Sequence, residues 1–230
     1  MNTNILTCLT LSMLLLGVMT GCNEEHHLPE SGNPNAITVR LATDKGSGAD
    51  EESVINQVTG YRFVDGMLEE VITPSKRVGT QLYTFAPSSF TGTLHILANT
   101  QLLKGLETLT PGHSTLDDFL ALEGSVDEMT GDGVLMTGMT SLGESTSAVV
   151  PMTRAIARID IESLEKGVQV QQVVIHNLAD KGYALARETV ETPASASIFR
   201  FTKEYADTPL ENRSETLLYL TEQTHPSLLV

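Results

Sequence analysis

The 230-residue chain has no tryptophan, 5% aromatic residues and two cysteines, and its 14 Lys and Arg are outnumbered by 29 Asp and Glu. Each shortage excludes something. Scarce aromatics beside abundant Thr, Ser and Val suit strands better than a helical bundle. A net charge of -15 with no Lys/Arg cluster argues against nucleic acid, because phosphate is repelled and nothing offsets it. Cys8 lies in an apolar N-terminal stretch expected to be removed, so Cys22 alone would remain. No internal disulfide can then form, and packing must hold the fold. The sequence contains no GxSxG, Gly-rich phosphate loop, HExxH or CxxC, and its six His are scattered. Nothing here picks out a catalytic centre, a metal site or a cofactor, and an enzyme is not expected. Only a triad assembled from distant segments would escape such a reading.

What is present begins at the N-terminus. Ile5 to Met19 is apolar, but too short for a good membrane span, which needs about 20 residues. It reads as the core of a secretory signal, although no Lys or Arg precedes it. The run ends in Met19-Thr20-Gly21-Cys22. This resembles the lipobox of bacterial lipoproteins, with Met19 where Leu is usual. The resemblance implies cleavage between Gly21 and Cys22 and acylation of Cys22. Each buried methylene then contributes about 0.8 kcal/mol to membrane anchoring. Residues 22–35 are polar and punctuated by Pro and Gly, as expected of a flexible tether. His26 and His27 beside Glu24 and Glu25 are poorly preorganised as metal ligands and read as solvated linker.

The whole chain has 40% hydrophobic residues, enough for a real core, and its length suits one large domain or two small ones. Ile37, Val39 and Leu41 alternate onto one face of a first strand. Further strands are expected over Val54–Val64 (ending in the turn Asp65-Gly66), Met67–Ile72, Gln81–Ala86 and Thr93–Ala98. His95 reads as a satisfied or surface strand residue. One short helix is expected over Leu116–Leu122, capped by Ser114 or Thr115 with Asp117 or Asp118 three residues on. The two acids complement the helix dipole rather than form a catalytic pair. Strand patterns follow at 134–139, 148–161, 168–175, 198–201, 217–220 and 228–230. Short strands with turn signals point to an all-β sandwich architecture. Asn212-Arg213-Ser214 matches a glycosylation sequon of little weight in a bacterial lipoprotein.

Several stretches, taken in order with the lipobox, resemble fimbrillins, the type V pilus subunits of Bacteroidetes. They are Ala36-Ile37-Thr38-Val39-Arg40-Leu41, His95-Ile96-Leu97-Ala98-Asn99-Thr100, Val134-Leu135-Met136-Thr137-Gly138 and Val150-Pro151-Met152-Thr153-Arg154-Ala155-Ile156-Ala157-Arg158-Ile159, then Leu218-Tyr219-Leu220-Thr221-Glu222 and His225-Pro226-Ser227-Leu228. The resemblance implies tandem transthyretin-like β-sandwich domains. Here these would be 36–150 and an incomplete 151–230, behind a signal peptide at 1–21 and the tether at 22–35. It also implies a surface-exposed outer-membrane and fimbrial location, a lipid anchor, a processing protease and other fimbrial subunits as partners. In the family a protease cuts after the first strand, and a neighbour's strand fills the vacated groove. Ile37, Val39 and Leu41 would be the plugs of the removable strand. The usual cut follows an Arg; here the loop offers only Lys45, and Arg40 lies within the strand. The expected role is therefore a structural or anchoring fimbrial subunit. The alternative is a surface lipoprotein that never polymerises and acts as an adhesin or binding module.

Overall fold

The computed structural model describes residues 36–43, 50–131, 133–143, 145–164, 167–187, 189–205, 209–224 and 226–229. The fold is all-β. Strand β1 spans Ile37–Thr43, β2 Val58–Val64, β3 Met67–Ile72, β4 Ser75–Lys76, β5 Leu82–Phe85 and β6 Thr93–Ala98. Helix α1 (Leu116–Leu120), strand β7 (Glu123–Ser125) and helix α2 (Val126–Thr130) follow. The rest is β8 (Met136–Ser141), β9 (Ser147–Arg154), β10 (Ile156–Ser163), β11 (Gln172–Ala179), β12 (Lys181–Tyr183), β13 (Ile198–Glu204), β14 (Arg213–Thr221) and β15 (Ser227–Leu229).

Eight strands form one sheet in the order β3-β2-β6-β8-β9-β1-β5-β4. β8 and β9 pair only at Met136–Arg154 and Thr137–Thr153, so the sheet splays there and curls over itself. Its two halves enclose a core that draws Ile37, Val39 and Leu41 from β1, Leu94, Ile96 and Ala98 from β6, and Val150 and Met152 from β9. Gly60 on β2 marks where the halves touch. A Cβ there would sit 2.8 Å from the Phe85 ring and 2.9 Å from Leu94. Only a residue without a side chain lets Phe85 lie against the facing strand.

β6 contributes to a core on each of its faces. Leu94, Ile96 and Ala98 enter the first core, while Leu97 joins a second with Tyr61, Phe63, Phe119, Met129 and Leu135. The helices cover that second face. Thr115, rather than Ser114, caps α1, and its hydroxyl accepts from Asp118 N at 3.1 Å. The Asp118 carboxylate in turn accepts from Thr115 N and Oγ1, both at 2.8 Å. α1 stops at Leu120, two residues short of the expected end. The structure also adds α2, which the sequence reading did not anticipate. It has the same capping box, between Ser125 and Glu128.

The alternating run 148–161 is two strands rather than one. Arg154 ends its pairing with Met136 in the large sheet, and Ile156 begins pairing with Thr221 on β14. Between them Ala155 N donates to Leu135 O at 2.9 Å. The chain turns here because the two halves of the run have different partners. Beyond the joint, the pair β10-β14 and the sheet β13-β11-β15 enclose a third core around Val173, Ile175, Leu178, Tyr205 and Leu210.

A candidate strand-exchange slot

β1, the first strand among the described residues, is an interior strand. It runs antiparallel to β5 from Ile37 (opposite Phe85) to Arg40 (opposite Leu82). It runs parallel to β9 from Thr38 (opposite Ser147) to Thr43 (opposite Met152). Thr38 N donates to Thr146 O at 2.9 Å and Leu41 N to Gln81 O at 3.0 Å. Alternation then sorts the side chains. Ile37, Val39 and Leu41 are 1%, 0% and 2% exposed, whereas Arg40 and Ala42 face outward. Burying three such side chains contributes about 4.5–9 kcal/mol, at 1.5–3 each. That is comparable to the whole stability of a typical domain. Without β1, the edges of β5 and β9 would stand unpaired across a gap of about 9–10 Å, two strand spacings, over an apolar floor.

The structure places the sequence-derived residues unevenly. Ile37, Val39 and Leu41 come together in the first core. Arg40 sits mid-strand with backbone partners on both sides, so a protease would have to unpair β1 to reach it. Gly21, Cys22, His26, His27 and Lys45 lie outside the described residues, as does His225 in the last fimbrillin-like stretch. Asp117 and Asp118 are at a helix start. Asp118 is held below the usual carboxylate range, chiefly by the Thr115 amide and then its hydroxyl, as a cap would be. Among the described residues, no group of three or more His, Cys, Asp or Glu gathers as a metal site would require. The walls of the slot, β5 and β9, were legible as strands, but nothing local marked them as partners of β1.

His95 is half-buried against two aromatic rings. Its ring lies edge-on to Phe63 and Phe119, with centroids 5.3 and 5.6 Å away. Burial holds it below its ordinary value of 6.5. The unfolded chain therefore binds this proton more readily. The stabilising contribution is complete above the ordinary value and is lost as pH falls through 6.5 towards the folded value. Urea unfolding at pH 7.5 and 5.5 should show lower stability at 5.5, and His95→Phe should remove most of that difference. An unaltered difference in the variant would assign it elsewhere.

No family model matches the chain, and no curated protein matches it either. Solved structures do. One is a "putative cell adhesion protein" of Bacteroides eggerthii, 17% identical with a TM-score of 0.49, covering 86% of this chain and 76% of that one. Another is the C-terminally truncated tip fimbrial protein Mfa3 of Porphyromonas gingivalis, 13% identical with a TM-score of 0.46, covering 81% and 67%. A third is a fimbrilin, FimA, of Porphyromonas gingivalis, 14% identical with a TM-score of 0.41, covering 70% and 52%. The neighbours thus include fimbrial proteins, the kind the sequence resembles.

Proposed function

We propose that this chain is a structural or anchoring subunit of bacterial surface fimbriae, lipidated at Cys22 and joined to its neighbours by replacement of β1. The observation that carries this reading is the seat of β1. It is the first strand among the described residues, hydrogen-bonded on both sides, with Ile37, Val39 and Leu41 filling one apolar furrow. A foreign strand with the same alternation can satisfy the same ladder and the same furrow, which is the physics of β-augmentation. Cleavage between β1 and β2 would turn a tethered strand into a free one. It would thereby remove the effective-concentration advantage of the resident strand over an incoming one.

A second reading, a surface lipoprotein that stays monomeric as an adhesin or binding module, draws on the same geometry. β1 already fills its own slot, and the connection after it holds Lys45 where the family has Arg. One experiment separates the two. A specific protease site is built between residues 44 and 49, and the chain is incubated with a labelled peptide spanning 36–43. Uptake after cleavage, and not before, is expected of the fimbrial subunit. A cut chain that keeps its own β1 and takes no peptide would leave only the monomeric reading. Metabolic labelling with a palmitate analogue, lost in Cys22→Ser, tests the anchor.

A further inference from the structure

The connection from β1 to β2 does more than join two strands. Its residues Glu52 and Ser53 reach the joint at Ala155, where the chain leaves the large sheet for β10, and grip both sides of it. On the near side, Arg154 at the end of β9 donates from Nε to Glu52 O at 3.2 Å and from Nη2 to Ser53 Oγ at 3.0 Å. On the far side, Arg158 of β10 donates from Nη1 to Glu52 Oε1 at 2.5 Å, and Tyr219 of β14 donates its hydroxyl to the same oxygen at 2.9 Å. These contacts bridge 101 to 167 positions of sequence.

Both ends of the grip are held firm. Arg158 is fixed from behind by Asp160, through Nε and Nη2 at 2.9 Å each, and Asp160 Oδ1 accepts from Thr216 Oγ1 at 2.7 Å. The connection is pinned two residues further on. Ile55 enters the first core, and the Asn99 side chain accepts from Asn56 N at 2.9 Å and donates to Val54 O at 2.8 Å. The side chains of Glu52 and Arg158 are 13% and 17% exposed. At that exposure the charges are screened by salt much less than a surface pair.

We propose that Glu52 is a brace setting the angle between the large sheet and the second β unit. The connection that leaves the β1 slot would then also fix the second unit in place. The joint is tied by Ala155 N to Leu135 O at 2.9 Å, by the pairing of β12 with β7 and by Ile156, Ala184 and Leu185 in the second core. A carboxylate shared by Arg158 and Tyr219, with its own backbone held by Arg154, adds a polar clamp directly across the joint. The brace does not depend on whether β1 is exchanged.

The test is a spin-label distance between position 78 in the first unit and position 200 on β13, in a full chain with Cys8 and Cys22 replaced by Ser. Val78 is 94% exposed and Arg200 is exposed, so labels there disturb no packing. The native brace should give one narrow distance distribution. Glu52→Ala and Arg158→Ala should each broaden it at least two-fold, and the double variant no further than either. Glu52→Gln, which keeps the shape and an acceptor for Tyr219, should broaden it less, and it decides the matter if the alanine variants misfold. A native width in Glu52→Ala, or in Glu52→Gln where the alanine variants fail to fold, would overturn the brace.

Discussion

Val39→Asp should empty the β1 slot. Val39 is fully buried between Tyr83 of β5 and Ala148 of β9. The substitution removes about 1.5–3 kcal/mol of apolar burial. It also places in the first core a carboxylate with no partner, which adds several kcal/mol. A domain stabilised by 5–15 kcal/mol in total cannot absorb both and keep the strand seated. The cheapest response is to let β1 go, so that the charge meets water. Arg40 then becomes a reporter. Its side chain is exposed in the native strand, but its backbone is paired with Leu82 and Val149. Limited digestion with an Arg-specific protease, read by mass spectrometry, should find native chain intact at Arg40 and the variant cut there. Ala42→Asp, on the outward face of the same strand, should resist like the native protein, because surface changes usually stay within about 0.5 kcal/mol. Equal protection of Val39→Asp would mean that the slot does not need its plugs, and the proposed exchange would lose its driving force.

Gly92→Ala should be the most damaging single methyl in the large sheet. Gly92 precedes β6 with φ of +91°, a backbone state that costs a residue with a Cβ about 1–3 kcal/mol. Worse, the added Cβ would lie 2.0 Å from the carbonyl oxygen of Phe63. That oxygen belongs to β2, whose Phe63 pairs with Thr93, so it cannot retreat without breaking the end of the β2-β6 ladder. Gly92 O also accepts from Leu142 N at 2.8 Å, which ties the same point to the residue after β8. A loss of at least about 3 kcal/mol is expected, seen as a fall in Tm of about 6–12 °C for a chain of this size. Gly66→Ala is the control. Gly66 also has positive φ, at +78°, but nothing lies within 4 Å of its Cβ position. It should lose only about 1 kcal/mol, from backbone strain alone. Similar melting points for the two variants would mean that the Phe63 carbonyl moves freely.

The local features were legible because they are written in short-range chemistry. The alternation of Ile37, Val39 and Leu41 identified both a strand and its buried face. Asp65 and Gly66 do form the tight turn between β2 and β3, both with positive φ. Thr115 and Asp118 form the capping box. The same chemistry went unread at Ser125 and Glu128, because α2 is only five residues long and has no apolar periodicity to mark it. The run 148–161 looked like one strand because its alternation is unbroken through the joint. What breaks it is a change of partner, from β8 to β14, which no periodicity records.

Side-chain pattern and turn residues act over a few positions, so the sequence by itself determined where most of the longer strands lie and that Ile37, Val39 and Leu41 belong in a core. Pairing partners are chosen among many strands of equal alternation, by the closing of the whole sheet. Only the tertiary structure, therefore, decided that β1 lies parallel to β9 and antiparallel to β5 in a two-sided slot. It alone brought Glu52 to Arg158 and Tyr219 across more than a hundred residues.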